Sequence, residues 1–125
     1  IFLTMWQGVL IKYSHFFISE SGTMASEAAI LGTPVIYINS LPLMGYLKEE
    51  KDAGILFHFL SSENVIEKVN ELLLISDLKR EFEPGHQKVL MGKIDITAFL
   101  VWFVEKYPDS KDIMKANPDY QYNFR

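Results

Sequence analysis

The chain reads as an α/β protein: a Rossmann-like, three-layer parallel sheet, present in part, as the second half of a doubly wound domain. Three features carry that reading. Apolar runs at Phe16-Phe17-Ile18, Val35-Ile36-Tyr37-Ile38 and residues 55–59 alternate with stretches of helical character, the order that packs helices on a parallel sheet. The first two runs and the helix between them fit within about 25 residues, the spacing of a right-handed crossover to a parallel neighbour. The first run lies between His15 and a serine-rich turn without an alternating pattern, as suits a strand buried on both faces.

Residues 1–6 are a marginal fourth strand. Residues 22–31 form a helix: good helix formers follow Thr23, no proline intervenes, and Gly32 stands where a helix-ending glycine belongs. Thr33-Pro34 stops it, and residues 35–38 give the second strand. A loop from Asn39 to about Pro42 leads to a short helix over residues 45–52, closed by Ala53-Gly54, and residues 55–59 are the third strand. Ser61 or Ser62 caps the next helix, where Val65, Val69, Leu72 and Leu73 recur at the three-and-four spacing of one buried face. Residues 77–82 add a turn or two, Pro84 and Gly85 interrupt the helix, and residues 86–92 resume it. Asp95 caps a last helix in which Ile96, Phe99, Leu100, Phe103, Val104 and Tyr107 keep the helical period. Val101 and Trp102 make its middle apolar nearly all round, which calls for cover on more than one side. From Pro108 the composition turns polar and reads as an extended tail, so the chain divides into residues 1–107 and a C-terminal tail, 108–125. Three strands are few for a parallel sheet, and an isolated copy is expected to pair its exposed edge or associate as a homo-oligomer.

Composition narrows the function classes. A chain of 125 residues, 49% of them hydrophobic, buries a true core, which excludes disorder. Its 12 Lys and Arg against 16 Asp and Glu leave a net charge of −4, without the basic stripe that nucleic acid demands. The lack of cysteine excludes a disulfide framework, a zinc ribbon and a cysteine nucleophile. His15, His58 and His86 form no close pair on one helix, so no metal is expected. The uncharged segment 28–47 has the length of a spanning helix, about 20 residues. Gly32, Pro34, Pro42 and Gly45 interrupt it, however, and lipid cannot replace the hydrogen bonds lost there, so no transmembrane span is expected. Glu49, Glu50 and Asp52 read as a solvated acidic face. Ile1 stands where an initiating methionine would, with no basic leader behind it, and the sequence reads as an excerpt of a longer protein.

The informative stretch is Ser19-Glu20-Ser21-Gly22-Thr23-Met24, a small-residue turn between strand and helix. It lies at the carboxyl end of the strand, where open α/β sheets bind ligands. The first turn of a helix leaves N–H groups unpaired at the positive end of the dipole, which favours a phosphate. Gly22 has no Cβ and lets a ligand oxygen approach the backbone, while the Ser21 and Thr23 hydroxyls add neutral donors. Glu27 follows Thr23 by four residues on the same face, and long helical side chains lean toward the N-terminus. Its acceptor-only carboxylate suits a pair of ribose hydroxyls. The bland reading of the same residues is a common turn followed by a solvated glutamate. Neither a Gly-x-Gly-x-x-Gly fingerprint nor a phosphate loop ending in Gly-Lys-Ser or Gly-Lys-Thr is present.

The run from Phe17 through Ser21-Gly22-Thr23-Met24-Ala25-Ser26-Glu27 to Pro34 resembles a domain-of-unknown-function family of glycosyltransferase-like proteins. That family is related to UDP-N-acetylglucosamine 2-epimerase and to transferases of the GT-B fold. Residues 93–103 are similar to the C-terminal helix of its members. The resemblance implies the C-terminal, nucleotide-binding half-domain of a two-domain protein, with a nucleotide sugar, a UDP-sugar, as substrate and no separate cofactor. It implies pyrophosphate at Ser21, Gly22 and Thr23, with the Met24 amide beside them, and ribose at Glu27. Two departures stand out: epimerases carry Gly-Gly after the serine where this chain has Gly22-Thr23, and many carry arginine after the next strand where it has Asn39. The base that activates the acceptor in GT-B transferases usually lies in the other domain, so no catalytic residue is assigned and this chain alone is expected to be inactive. A cytoplasmic location, at most peripheral to a membrane, follows from the usual site of nucleotide sugars. The competing expectations are a portion of a nucleotide-sugar 2-epimerase and a non-catalytic α/β assembly module.

Overall fold

In the computed structural model, which describes residues 2–125 and side chains from Trp6 onward, three parallel strands lie side by side in chain order. They are β1 (Phe17–Ser19), β2 (Val35–Ile38) and β3 (Leu56–Phe59). Phe17 stands opposite Val35, and Val35 opposite Leu56. Helix α1 (Phe2–Tyr13) precedes the sheet, α2 (Gly22–Ile30) and α3 (Gly45–Asp52) connect successive strands, and α4 (Val65–Leu73) and α5 (Leu78–Met91) follow.

Alternation along the strands divides the core in two. Val35, Tyr37 and Leu56 face one side, where Ile11 of α1, Ala25, Ala28 and Ala29 of α2, Leu47 of α3 and Val89 of α5 close over them. Ile36 faces the other with Ile38, Phe57 and Phe59, against Val65 and Leu72 of α4 and Leu78 of α5. Helices therefore cover both faces, and the fold is the three-layer α/β arrangement of a partial Rossmann-like sheet. The three alanines of α2 are wholly buried, and their size lets the helix lie close to β2.

Long-range polar contacts fix the helices on the first face. Gly32, just beyond α2, takes a left-handed φ of 80°, and the imidazole of His86 lies so near that an added Cβ would sit 3.0 Å from its Cε1. His86 Nε2 donates to the Ile30 carbonyl at 2.9 Å, tying α5 to the end of α2. Buried Thr33 donates its hydroxyl to the Ile11 carbonyl at 2.8 Å, which helps satisfy the C-terminus of α1.

The structure corrects several expectations. Residues 2–6 open α1 and form no strand, Ile1 lying outside the described residues. The apolar run continues without proline to Tyr13, long enough for three helical turns. Helix α5 runs unbroken through Pro84. Proline forfeits the bond to the Arg80 carbonyl, but Glu83 and Pro84 are exposed, so water reaches this stretch. The cap of α4 is Asn64 in the left-handed region at φ 60°, in place of Ser61 or Ser62. Asparagine tolerates that conformation, and the serines serve the preceding turn, where Ser61 Oγ accepts from the Glu63 N–H at 3.3 Å.

The chain forms two compact units, Ile1–Met91 and Gly92–Arg125. The second unit holds α6 (Ile96–Glu105), α7 (Asp109–Ala116) and a 3-10 helix over Pro118–Asn123. The extended tail expected from residue 108 is thus helical. Asp95 caps α6 as anticipated, accepting from the Ala98 N–H at 2.9 Å. Tyr120 stacks on Trp102 at 4.9 Å and Phe124 meets Phe99 edge-on at 5.6 Å, so the last residues supply apolar partners for one side of α6. The Ser110 hydroxyl, buried, donates to the Phe103 carbonyl at 2.6 Å. No helix among the described residues is long and apolar enough to cross a membrane.

Candidate ligand-binding site

The turn leading into α2 is held by its own serines. The Ser21 N–H donates to Ser19 Oγ at 2.9 Å, and the Ser19 hydroxyl donates to the Ser21 carbonyl at 3.2 Å. Ser21 is the N-cap, with extended backbone (φ −89°, ψ 118°); its Oγ accepts from the Met24 N–H at 3.5 Å and its carbonyl from the Ala25 N–H at 2.9 Å. The amides of Gly22 and Thr23 head the helix, where no intrahelical acceptor exists. The side chains of Ser21 and Thr23 are exposed, while Met24 is half-buried and packs on the core.

Gly22 has a different reason from the one expected. A Cβ there would meet Leu47 Cδ1 at 3.2 Å, the Tyr46 hydroxyl at 3.4 Å and the Tyr37 hydroxyl at 3.5 Å. The side of the backbone that its missing side chain leaves open is taken by α3 and β2, not held free for a ligand oxygen. Glu27 is exposed, and its Oε1 lies beside Gly8 of α1, 3.7 Å from where a Cβ would stand. The structure therefore gathers Ser21, Gly22, Thr23 and Met24 at the carboxyl end of β1 and sets Glu27 further along α2, against α1.

Glu50 is a correction as well. It is buried, one turn beyond Leu47 on the inner face of α3, and accepts the Ser26 hydroxyl at 2.5 Å. The pairing of Leu47 with Glu50 at a three-residue spacing was the available signal that Glu50 turns inward.

A second feature lies at the carboxyl ends of β2 and β3. The chain leaves β2 for α3 on the Val35 and Tyr37 face, but leaves the adjacent β3 for α4 on the Ile36 face. Connections that depart to opposite faces open a crevice outside the strand ends, the usual ligand position in open α/β sheets. Two clefts occupy it, with Ser40 and Leu60 lining both. One, of about 430 Å³, adds Glu20, Asn39, Ser61 and Ser62; the other, of about 460 Å³, adds the loop 41–43 and Lys48, Lys51, Asp52 and His58.

Asn39 stands between them with every polar group engaged. Its Nδ2 donates to the Glu20 carbonyl at 3.3 Å, its Oδ1 accepts from the Leu41 N–H at 2.8 Å, and its N–H donates to the Phe59 carbonyl at 2.9 Å. Its own carbonyl lies 2.8 Å from His58 Nε2. A carbonyl only accepts, so Nε2 carries a proton and Nδ1 is the ring's remaining polar atom. The ring lies over Tyr37 at 5.5 Å, nearly parallel. Sequence reasoning passed over Lys48 and Lys51, for which the spacing of 48, 51 and 52 on one face of α3 was the signal, and read His58 as a structural residue within a strand that could face the cleft.

Among the described residues, no group of three or more His, Asp or Glu stands close enough to hold a metal ion. The chain matches no family model, no curated protein and no solved structure with which it was compared.

Proposed function

We propose that the chain is the nucleotide-sugar-binding portion of a glycosyltransferase-like protein, taking a UDP-sugar with its diphosphate at the first turn of α2 and its ribose at Glu27. The observation that carries this reading is the conjunction at the end of β1: exposed Ser21 and Thr23 beside the leading amides of α2. A helix N-terminus favours an anion through its unpaired N–H groups and dipole. The Ser21 bond to the Met24 amide is long at 3.5 Å, so a phosphate oxygen displaces it at small cost. Glu27, exposed and acceptor-only, takes two hydroxyl donors. In this reading a second domain completes the cleft and brings the catalytic base, the protein works in the cytoplasm, and copies associate through the β1 edge, where Ile18 is exposed.

Amide spectra of the 125-residue chain during titration with UDP test the reading. The signals of Gly22, Thr23 and Met24 are expected to shift and saturate in the millimolar range, and Glu27→Ala to weaken binding at least about tenfold, through the loss of its hydrogen bonds to the ribose hydroxyls. Those three amides remaining still throughout the titration refutes the assignment.

A further inference from the structure

We infer that the crevice at the carboxyl ends of β2 and β3 is a second binding site, made for a small sugar phosphate whose phosphate meets Lys48 and Lys51. Its residues are separate from Ser21 to Met24 and from Glu27, so the inference stands without the nucleotide-sugar reading.

The chemistry of the two clefts is unequal. The wall formed by α3 carries Lys48 and Lys51 against the single acid Asp52, with the Nδ1 of His58 as an acceptor beside them. Ammonium groups bind phosphate as point charges, and the Nδ1 of His58, held by stacking on Tyr37 and by the bond from Nε2 to the Asn39 carbonyl, is an acceptor already in place for a ligand hydroxyl. The other cleft carries hydroxyls at Ser61 and Ser62 and the carboxylate of Glu20, a donor and acceptor set matched to alcohols and hostile to an anion. A ligand with phosphate at one end and hydroxyls at the other therefore enters in one orientation, with the phosphate toward α3. Ser40 and Leu60 line both clefts and mark where the sugar ring crosses. Each cleft lies within the range of small-molecule sites, about 300–1,000 Å³. The exposed side chains of Leu41 and Leu60 offer apolar contact to the C–H face of a sugar.

Glucose 6-phosphate, glucose and inorganic phosphate, each titrated into the full chain, separate the parts of the claim. Glucose 6-phosphate is expected to shift the amides of Ser40, Leu60 and Ser61 and the ring signals of His58, while Gly22 to Met24 stay still. It is expected to bind about tenfold more tightly than either glucose or phosphate alone. Lys51→Ala, at an exposed position, should weaken glucose 6-phosphate about tenfold and leave glucose unaffected; Ser62→Ala should weaken glucose 6-phosphate and leave inorganic phosphate unaffected. Equal binding of phosphate and glucose 6-phosphate overturns the sugar half of the proposal. No shift at Ser40, Leu60 or His58 overturns all of it, whatever UDP does at α2.

Discussion

At Gly85 the backbone of α5 comes so close to the end of α3 that a Cβ would stand 2.6 Å from the Ala53 carbonyl oxygen. The obstacle is backbone, which cannot rotate aside as a side chain can. Gly85→Ala is expected to destabilise the fold by about 3 kcal/mol, the upper end of overpacking costs, seen as a lower urea midpoint. Gly45, at the first position of α3, is the contrast, because nothing lies within 4 Å of its added Cβ. Gly45→Ala should raise stability by about 0.5 kcal/mol by restricting the unfolded chain. Identical chemistry with opposite signs at the two sites is the check; equal effects would refute the steric account of Gly85 against Ala53. Asn39→Ala removes two side-chain hydrogen bonds at the strand ends and should cost about 2 kcal/mol.

Among the elements, α6 offers the cleanest test. Its N-terminus rests on the Asp95 carboxylate, and Asp95→Ala should lower the stability of residues 92–125 by about 1 kcal/mol, read as faster amide exchange at Ala98 and Phe99. This cap was legible in the sequence, as were the bounds of β2 and α3, because local signals define all three. A β-branched run follows Thr33-Pro34, and Ala53-Gly54 closes the short helix. What escaped reading depends on partners remote in the chain. Pro84 and Gly85 look like a break until His86 is seen bound to Ile30, and residues beyond 108 look like a loose tail until Tyr120 and Phe124 are seen on Trp102 and Phe99. The candidate site divides the same way. Ser21, read as a hydroxyl donor to a ligand, caps α2, a role its place before a helix signals, whereas the reason for Gly22 lies in Leu47 and Tyr46, more than 20 residues on. The crevice was illegible because the face to which each connection departs is a property of topology, not of residue type.

As a whole molecule, the chain concentrates its buried hydrophobic core, among the described residues, in the first unit. The sheet, its two cores and both candidate sites lie within residues 1–91. A chain ending at Met91 is expected to keep the dispersed amide spectrum of the sheet, with the Val35, Ile36 and Leu56 signals in place. Residues 92–125 alone are expected to lack a cooperative melting transition, since chains below about 40 residues seldom fold without a disulfide, a metal or a partner. Loss of the sheet signals from the shorter chain would move the boundary of the folding unit into α6.

The pair Asn39-Ser40 gives the protein a chemical clock. The neighbour of Asn39 is Ser40, a small residue whose backbone nitrogen can attack the amide carbon and expel ammonia to close a succinimide, which water then opens to aspartate or isoaspartate, turning the side chain from donor and acceptor into acceptor alone. The carboxylate so formed would still take the Leu41 N–H but would face the Glu20 carbonyl with oxygen against oxygen. Ageing would then part the end of β1 from its neighbours while the rest of the sheet stayed paired, and a stored sample would lose the clefts at its strand ends before it lost its fold.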